Sequence, residues 1–441
     1  MPAPLTHIES TPELPAETQV VVIGGGIVGV SVAYYLALRG IPVALVEKGR
    51  IGAEQSSRNW GWCRQQNRDA RELPIATRSL ALWDEMQARI EGGVGFRRCG
   101  LLYLSDDDAQ LATWARWRDF AVPLGVDTRT LTGEEASARG QATGKRWKGG
   151  VLSPTDGVAD PSRAAPAIAR AVMAAGGGVH QFCAARGLEF SGGRVSGVVT
   201  EKGVIRAQAV VMAGGAWASS FLRQIGVVFP QSSVRSSILS VAAGAEGLPD
   251  ALHTTEVSAT RRGDGGHALA ISGGARVDPT PQMLRFARQF APILASRWRS
   301  LAPGGLEGWR AGHETLSRWR LDAVTPMERM RILDPTPDPR QIAETHARAI
   351  RLLPGLAGRP IQARWAGYID STPDGVPAIG AVPGAPGLIV AAGFSGHGFG
   401  IGPGAGHLVA DLIAGDGPIV DPEPYRPDRL DGSAWGKVAE F

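Results

Sequence analysis

The spacing of apolar positions divides the chain into a β–α–β start, a mixed middle and a β–α close. Val20 to Ile23 is a continuous apolar run, the pattern of a strand buried on both faces. It breaks on three glycines, and a helical pattern runs from Val30 to Arg39 until Gly40 stops it. Val43 to Val46 predicts a second buried strand. Helical periodicity returns at Leu73 to Arg89 and at Asp106 to Phe120. Pro161-Ser162 opens an alanine-rich helix ending near Gly176, with Asp160 as its expected N-cap. Val195 to Thr200 and Val204 to Ala207 are strand-like, and Ala209 to Ala213 is a buried-type strand running into Gly214-Gly-Ala-Trp217. From Gln231 to Arg364 the style changes. Alternating segments such as His267 to Ser272 accompany helical patterns at Gln282 to Trp298 and Arg340 to Leu353. This stretch reads as a second domain inserted into the first. The C-terminal part returns to a strand at Pro386 to Ala392, a glycine-rich loop at Gly393 to Gly402 and a helix at Gly404 to Ala414.

The richest chemistry sits where the first strand meets the first helix. Gly24-x-Gly26-x-x-Gly29 lies between them, and Glu47 follows the second strand. This is the fingerprint of a dinucleotide-binding βαβ unit. Gly24 permits the tight turn, Gly26 lets backbone approach a pyrophosphate, and Gly29 lets helix and strand pack closely. Ile27 and Val28 lie between Gly26 and Gly29, just before the helix, whose N-terminus offers free N–H groups and a positive dipole end to phosphates. Glu47 can accept from ribose hydroxyls and would repel a 2′-phosphate. The helix after the C-terminal glycine-rich loop aims a second dipole at the same ligand.

Composition adds bounds. The 441 residues suffice for two domains, and 44% hydrophobic with 20% charged residues is globular. Arginine dominates the 46 basic residues, yet the net charge is only +4 and no basic run with interleaved aromatics argues for nucleic acid. Three cysteines are too few and too scattered for a disulfide framework or a metal cluster, so no metal is expected. No apolar run is long enough to span a membrane, and residues 1–17 read as a loose lead-in without a signal peptide. A soluble cytoplasmic protein is expected, with no membrane or nucleic-acid partner and its oligomeric state left open.

Four segments in order make the chain resemble the D-amino acid oxidase superfamily of FAD flavoproteins. They are the fingerprint with Glu47, Ala213-Gly-Gly-Ala-Trp217, Thr372-Pro-Asp-Gly-Val-Pro-Ala-Ile-Gly380, and Gly393-Phe-Ser-Gly-His-Gly-Phe-Gly-Ile-Gly-Pro403. The resemblance implies an α/β two-domain flavoprotein: a discontinuous glutathione-reductase-type Rossmann FAD domain with an inserted antiparallel-sheet substrate domain. Residues 18–100, 150–230 and 365–441 would form the first, and 101–149 with 231–364 the second. It implies that Gly24, Gly26 and Gly29 hold the pyrophosphate and Glu47, next to Lys48, the adenosine ribose. Ser56 and Ser57, followed by Arg58, Asn59, Trp60 and Gly61, match the loop at the pyrophosphate and ribityl chain. Ala185 matches the position whose backbone meets adenine. Ala213, Gly214 and Trp217 lie against the cofactor, and Gly396, His397, Gly398, Gly400 and Ile401 run past the pyrimidine edge of the flavin.

Within the superfamily the chain looks most like L-amino acid deaminases and soluble L-amino acid oxidases. The segments carrying that likeness include Glu47-Lys-Gly-Arg-Ile-Gly-Ala-Glu-Gln-Ser-Ser-Arg58 and Ser153-Pro-Thr-Asp-Gly-Val-Ala-Asp-Pro161. The implied reaction passes the Cα hydrogen of an amino acid as hydride to flavin N5. The imino acid then hydrolyses to a 2-oxo acid and ammonia, and O2 or another acceptor reoxidises the flavin. D-amino acids and N-alkyl amino acids such as sarcosine are the alternative substrates. Trp365-Ala-Gly-Tyr-Ile369 places isoleucine where D-amino acid and glycine oxidases carry a carboxylate-clamping arginine. Gly367 stands at the region of the flavin-bonded cysteine of monomeric sarcosine oxidases, so FAD is expected to be non-covalent. The carboxylate must be held from elsewhere, and Arg64, Arg261, Arg262, Arg276, Arg318 and Arg320 are the candidates, Arg64 foremost. His397 is placed at flavin O2 or in loop packing. Trp365, with Trp60 and Trp62, walls the ring system or packs the core.

Overall fold

The computed structural model describes residues 3–244, 247–271, 274–298 and 301–431. Ser272, expected in a strand, and residues 1–2 and 432–441, expected in the lead-in and the first domain, lie outside them. The first strand, β1 (Glu17–Ile23), pairs in parallel with β2 (Val43–Val46) and with the long strand Gly203–Met212. That long strand changes partner along its length. Its first half is antiparallel to Arg194–Thr200, and its last residues are parallel to Leu388–Ala392. The two strands expected at Val204 to Ala207 and Ala209 to Ala213 are therefore one. Its side chains alternate in and out where one face is solvated, and all are buried where both faces are covered. Eight strands make this sheet, with parallel strands at its centre.

Helix α1 (Ile27–Leu38) begins earlier than its apolar period suggests. The Ile27 N–H donates to the Ser56 hydroxyl at 2.8 Å, a cap supplied by a residue beyond the second strand. α2 (Leu73–Arg89) spans the expected residues, and the helices Asp108–Ala121 and Pro339–Leu352 lie close to theirs. Asp160 does not cap the alanine-rich helix. Its carboxylate accepts from Ser162 in the preceding turn, and the helix, Ala164–Ala174, starts after Arg163. The pattern from Gln282 to Trp298 is two helices, Pro281–Arg285 and Ala287–Arg297, broken at Phe286. The strand at His267 ends at Ala270.

The C-terminal helix is the largest departure from expectation. It runs Gly398–Ala414, so half of the expected glycine-rich loop is helical and only Gly393 to His397 remains irregular. Glycine disfavours helix. Tertiary packing overrides that preference here, because this helix lies directly on α1 and α2. A Cβ on Gly406 would sit 2.4 Å from Ser31 Cβ and 2.6 Å from its carbonyl carbon. A Cβ on Gly404 would sit 2.4 Å from the Ser79 hydroxyl, which accepts the Gly404 N–H.

The second sheet has ten strands. Its longest pair, Ser232–Val241 with Ile361–Ser371, is antiparallel, but two parallel pairs make the sheet mixed rather than purely antiparallel. The boundaries expected at 150 and 365 fall inside strands of this sheet, Gly149–Ser153 and Ile361–Ser371. The described residues before β1 are tied down rather than loose. Thr6 donates to Ser162, Thr11 and Val179 exchange hydrogen bonds, Gln181 bonds Ile8 and Ser10, and Ala3 packs on the cluster around Trp365. No helix among the described residues is long and apolar enough to cross a membrane.

The close contact at Gly406 sets two effects against each other. Gly406→Ala gains about 1 kcal/mol of helix propensity, but the new methyl meets rigid backbone of α1. Overpacking of this kind costs about 1–3 kcal/mol. The variant is expected to be less stable than wild type in denaturant or thermal unfolding, opposite to the sign that propensity gives.

Candidate active site

Four parallel strands end at the same edge of the first sheet, and each delivers its next residues to one cavity. β1 brings Gly24, β2 brings Glu47, Gly203–Met212 brings Ala213 and Gly214, and Leu388–Ala392 leads to Phe394 and Gly396. Gly24 holds φ +109°, and a Cβ there would meet the Ala213 carbonyl oxygen at 2.5 Å. A Cβ on Gly29 would fall 1.9 Å from the Gly24 carbonyl oxygen, so Gly29 acts by packing and does not line the cavity. Ile27 and Val28 line it at the start of α1, and Gly398 and Gly400 line it at the start of the C-terminal helix. Two positive helix ends thus face one space.

At the β2 end, both oxygens of Glu47 accept backbone amides, from Gly25 and from Gly49, each at 2.7 Å. Burial raises its pKa, and Lys48 and those amides pull the other way. Lys48 pairs with Glu54, donates to the carbonyls of Met330 (2.8 Å) and Arg331 (3.1 Å), and lies over the Trp217 ring. Trp217 in turn donates to Glu54 at 3.2 Å. The connection from His313 to Thr336 closes over this end like a clasp. Leu333 N–H donates to Glu54, Arg331 pairs with Glu201, Glu328 pairs with Arg186, and Asp334 pairs with Arg58. Glu201 also accepts the Ala184 N–H, next to Ala185, and Ala185 and Met327 line the cavity.

The other end is lined by Trp60, Trp62, Arg64, Arg68, Ile238, Gly367 to Asp370, Phe394 and Phe399. Trp60 and Trp62 pack edge to face at 4.8 Å. Arg64 donates to the Tyr103 hydroxyl at 2.9 Å and to the Gln66 carbonyl. The loop carrying it is held by the buried Asp156 carboxylate, which accepts the amides of Gln65 (2.8 Å) and Gln66 (3.1 Å). Burial pushes the Asp156 carboxyl up to about 6, against those amides and the two arginines.

Most expected site residues converge here: Gly26, Lys48, Ser56, Arg58, Asn59, Trp60, Ala213, Trp217 and Gly396 all line the cavity with those already named. Ser57, Gly61, His397, Ile401 and Trp365 do not. Ser57 donates to the Glu54 carbonyl, and the Gly61 N–H donates to the Asn59 side chain. Ile401 is buried within the helix. The His397 ring turns to the buried Glu72 carboxylate at 2.8 Å. Burial alone would raise Glu72, but His397, Arg68 and Arg64 outweigh it and hold its carboxyl below the usual range. Trp365 packs with Ile238, Ala268, Ala270 and Ala363, and its indole N–H is unpartnered among the described residues. Of the arginine candidates only Arg64 reaches the cavity. Arg261, Arg262, Arg276 and Arg320 pair with Asp250, Asp264, Asp338 and Asp322, and Arg318 is exposed. Sequence reasoning does not find Arg68, Glu72 or Met327. Glu72 meets His397 across 325 residues, a distance no local spacing reports.

Residues 19–412 match the family described as FAD-dependent oxidoreductase, DAO. The chain belongs to this family. The L-amino acid deaminase of Proteus myxofaciens, solved in complex with anthranilate, is 29% identical, with 96% of each chain covered and a TM-score of 0.92. That of Proteus vulgaris is 27% identical, covers 96% of this chain and 100% of that one, and has a TM-score of 0.91. A glycine oxidase of Pseudomonas aeruginosa is 29% identical over 93% of this chain and 98% of its own length. The cavity fits FAD on its own geometry. It pairs a glycine cradle and two helix N-termini with a buried carboxylate beyond β2, which is what a pyrophosphate and a ribose require.

Arg331→Ala removes the pair that ties the clasp to Glu201. It is expected to raise the FAD dissociation constant roughly tenfold, the order of one charge-assisted contact, as read by flavin fluorescence on dilution. Asp156 gives a pH signature. Its folded pKa of about 6 lies above the ordinary 3.8, so the folded state binds more protons between them. Stability is therefore lost as pH rises from about 4 to 6, by roughly 3 kcal/mol for a shift of about two units. Asp156→Asn is expected to flatten that slope in unfolding curves taken at each pH.

Proposed function

We propose that this protein is an L-amino acid oxidase. It removes the Cα hydrogen and its electron pair from an L-amino acid, and the imino acid hydrolyses to a 2-oxo acid and ammonia. The observation that supports this reading best is the wall around Arg64. A single strand, Ile361–Ser371, contributes Gly367 to Asp370 to the cavity, and with Ile369 among them that wall carries no cation. The carboxylate is then bound from the opposite loop by Arg64, with the substrate side chain among Trp60, Trp62, Ile238 and Phe399. The likeness to two L-amino acid deaminases over nearly whole chains supports the same choice.

FAD, when bound, supplies the two-electron acceptor. The chain's own residues bind, orient and exclude water. Arg64 holds the carboxylate, and the tryptophans keep the reacting face dry, which strengthens each polar contact there. The first N–H groups of the Gly398–Ala414 helix stabilise negative charge developing at its end. His397 and Glu72 anchor the start of that helix, and Trp365 supports Ile238 from behind. None of the three cysteines lines the cavity, which supports non-covalent binding. Electrons leave to molecular oxygen, giving hydrogen peroxide.

A second reading, oxidation of glycine or N-alkyl amino acids, is favoured by relatives named glycine oxidase and sarcosine oxidase subunit beta, the latter 26% identical over 96% of this chain. One experiment separates the two. The flavin absorbance of purified protein is followed anaerobically with L-amino acids, D-amino acids, glycine and sarcosine in turn. Bleaching by L-amino acids alone, with return of colour and peroxide on admitting air, is the expected result. Bleaching by glycine, sarcosine or D-amino acids instead overturns it.

A further inference from the structure

Arg68 lies four residues beyond Arg64 and lines the same cavity, yet is only 4% exposed. Its Nη1 has no hydrogen-bond partner among the described residues, and its Nε reaches the Arg64 carbonyl at 3.4 Å. The carboxylates around it are engaged elsewhere. Glu72 is hydrogen-bonded to the His397 ring, and Asp156 accepts the Gln65 and Gln66 amides. A buried guanidinium without a bonded counter-charge is costly. Burial and the neighbouring Arg64 lower the Arg68 pKa to about 10, and the pull of Glu72 does not restore it. Two guanidiniums on one cavity wall repel each other until an anion sits between them.

We propose that Arg68 is a second anion anchor of the substrate site, so that the substrate carboxylate is shared between Arg64 and Arg68. The proposal rests on the amino acid reading above and deepens it. It explains how Ile369 can replace a clamping arginine: the clamp has moved to the loop on the other side of the cavity. Arg64 is held by Tyr103 and Gln66 through one nitrogen, which leaves other N–H groups for the ligand. Arg68, held from behind, adds a second charge-assisted bond.

The test uses FAD-loaded enzyme and two probes of one shape, benzoate and benzamide, titrated against the oxidised flavin spectrum. Arg68→Met is expected to weaken benzoate by about tenfold or more, with benzamide affinity and flavin content unchanged, and Arg68→Lys is expected to recover most of the loss. Unchanged benzoate affinity in Arg68→Met overturns the assignment. So does equal weakening of both probes, which marks a structural role. Failure of the underlying reading shows differently: no amino acid then reduces the wild-type flavin, whatever Arg68 does to benzoate.

Discussion

The site depends on how closely the C-terminal helix approaches α1. Each helix begins at the cofactor end of the cavity, and the two positive ends act together only if the axes lie nearly in contact. Side chains at positions 402 and 406 would hold them apart, and glycines there let the helix settle against Ile27 and Ser31. The consequence is an edge where strand ends, helix ends and glycine turns coincide. Backbone there lines a cavity shared by segments far apart in the chain.

Charge is arranged around that edge in two different ways. At the β2 end, acids and bases pair across the clasp: Arg331 with Glu201, Lys48 with Glu54, Arg58 with Asp334. These contacts join the two parts of the chain over this end of the cavity. At the reacting end, buried charge is left partly uncompensated. Asp156 spends its carboxylate on loop amides and Glu72 on His397. Arg64 and Arg68 therefore line the cavity with neither of these carboxylates hydrogen-bonded to them. The first arrangement pairs charges over one end of the cavity, and the second leaves two guanidiniums lining the other.

Much of the first domain is legible in the amino-acid pattern. The β1–α1–β2 unit and Glu47 are readable because their signals are local: an apolar run, glycine spacing and an acid at a fixed offset. The helices at Leu73 and Pro339 are readable from period alone. Where local preference and packing disagree, packing decides. Glycine propensity argues for a loop at Gly398 to Gly402, and contact with α1 makes it helix. Residues 1–17 look loose by composition, yet among the described ones Thr6 and Thr11 are held by backbone hydrogen bonds to Ser162 and Val179.

By itself, the sequence determined the strand, glycine turn and helix of the first unit, since the turn at Gly24 and the apolar period after it depend on neighbours a few residues away. It could not say which arginine of many lines the cavity. That choice belongs to the tertiary structure, because folding decides which guanidiniums are drawn to carboxylates away from the cavity. Asp250, Asp264, Asp338 and Asp322 remove four candidates, while Arg64 is left facing the cavity and Arg68 joins it.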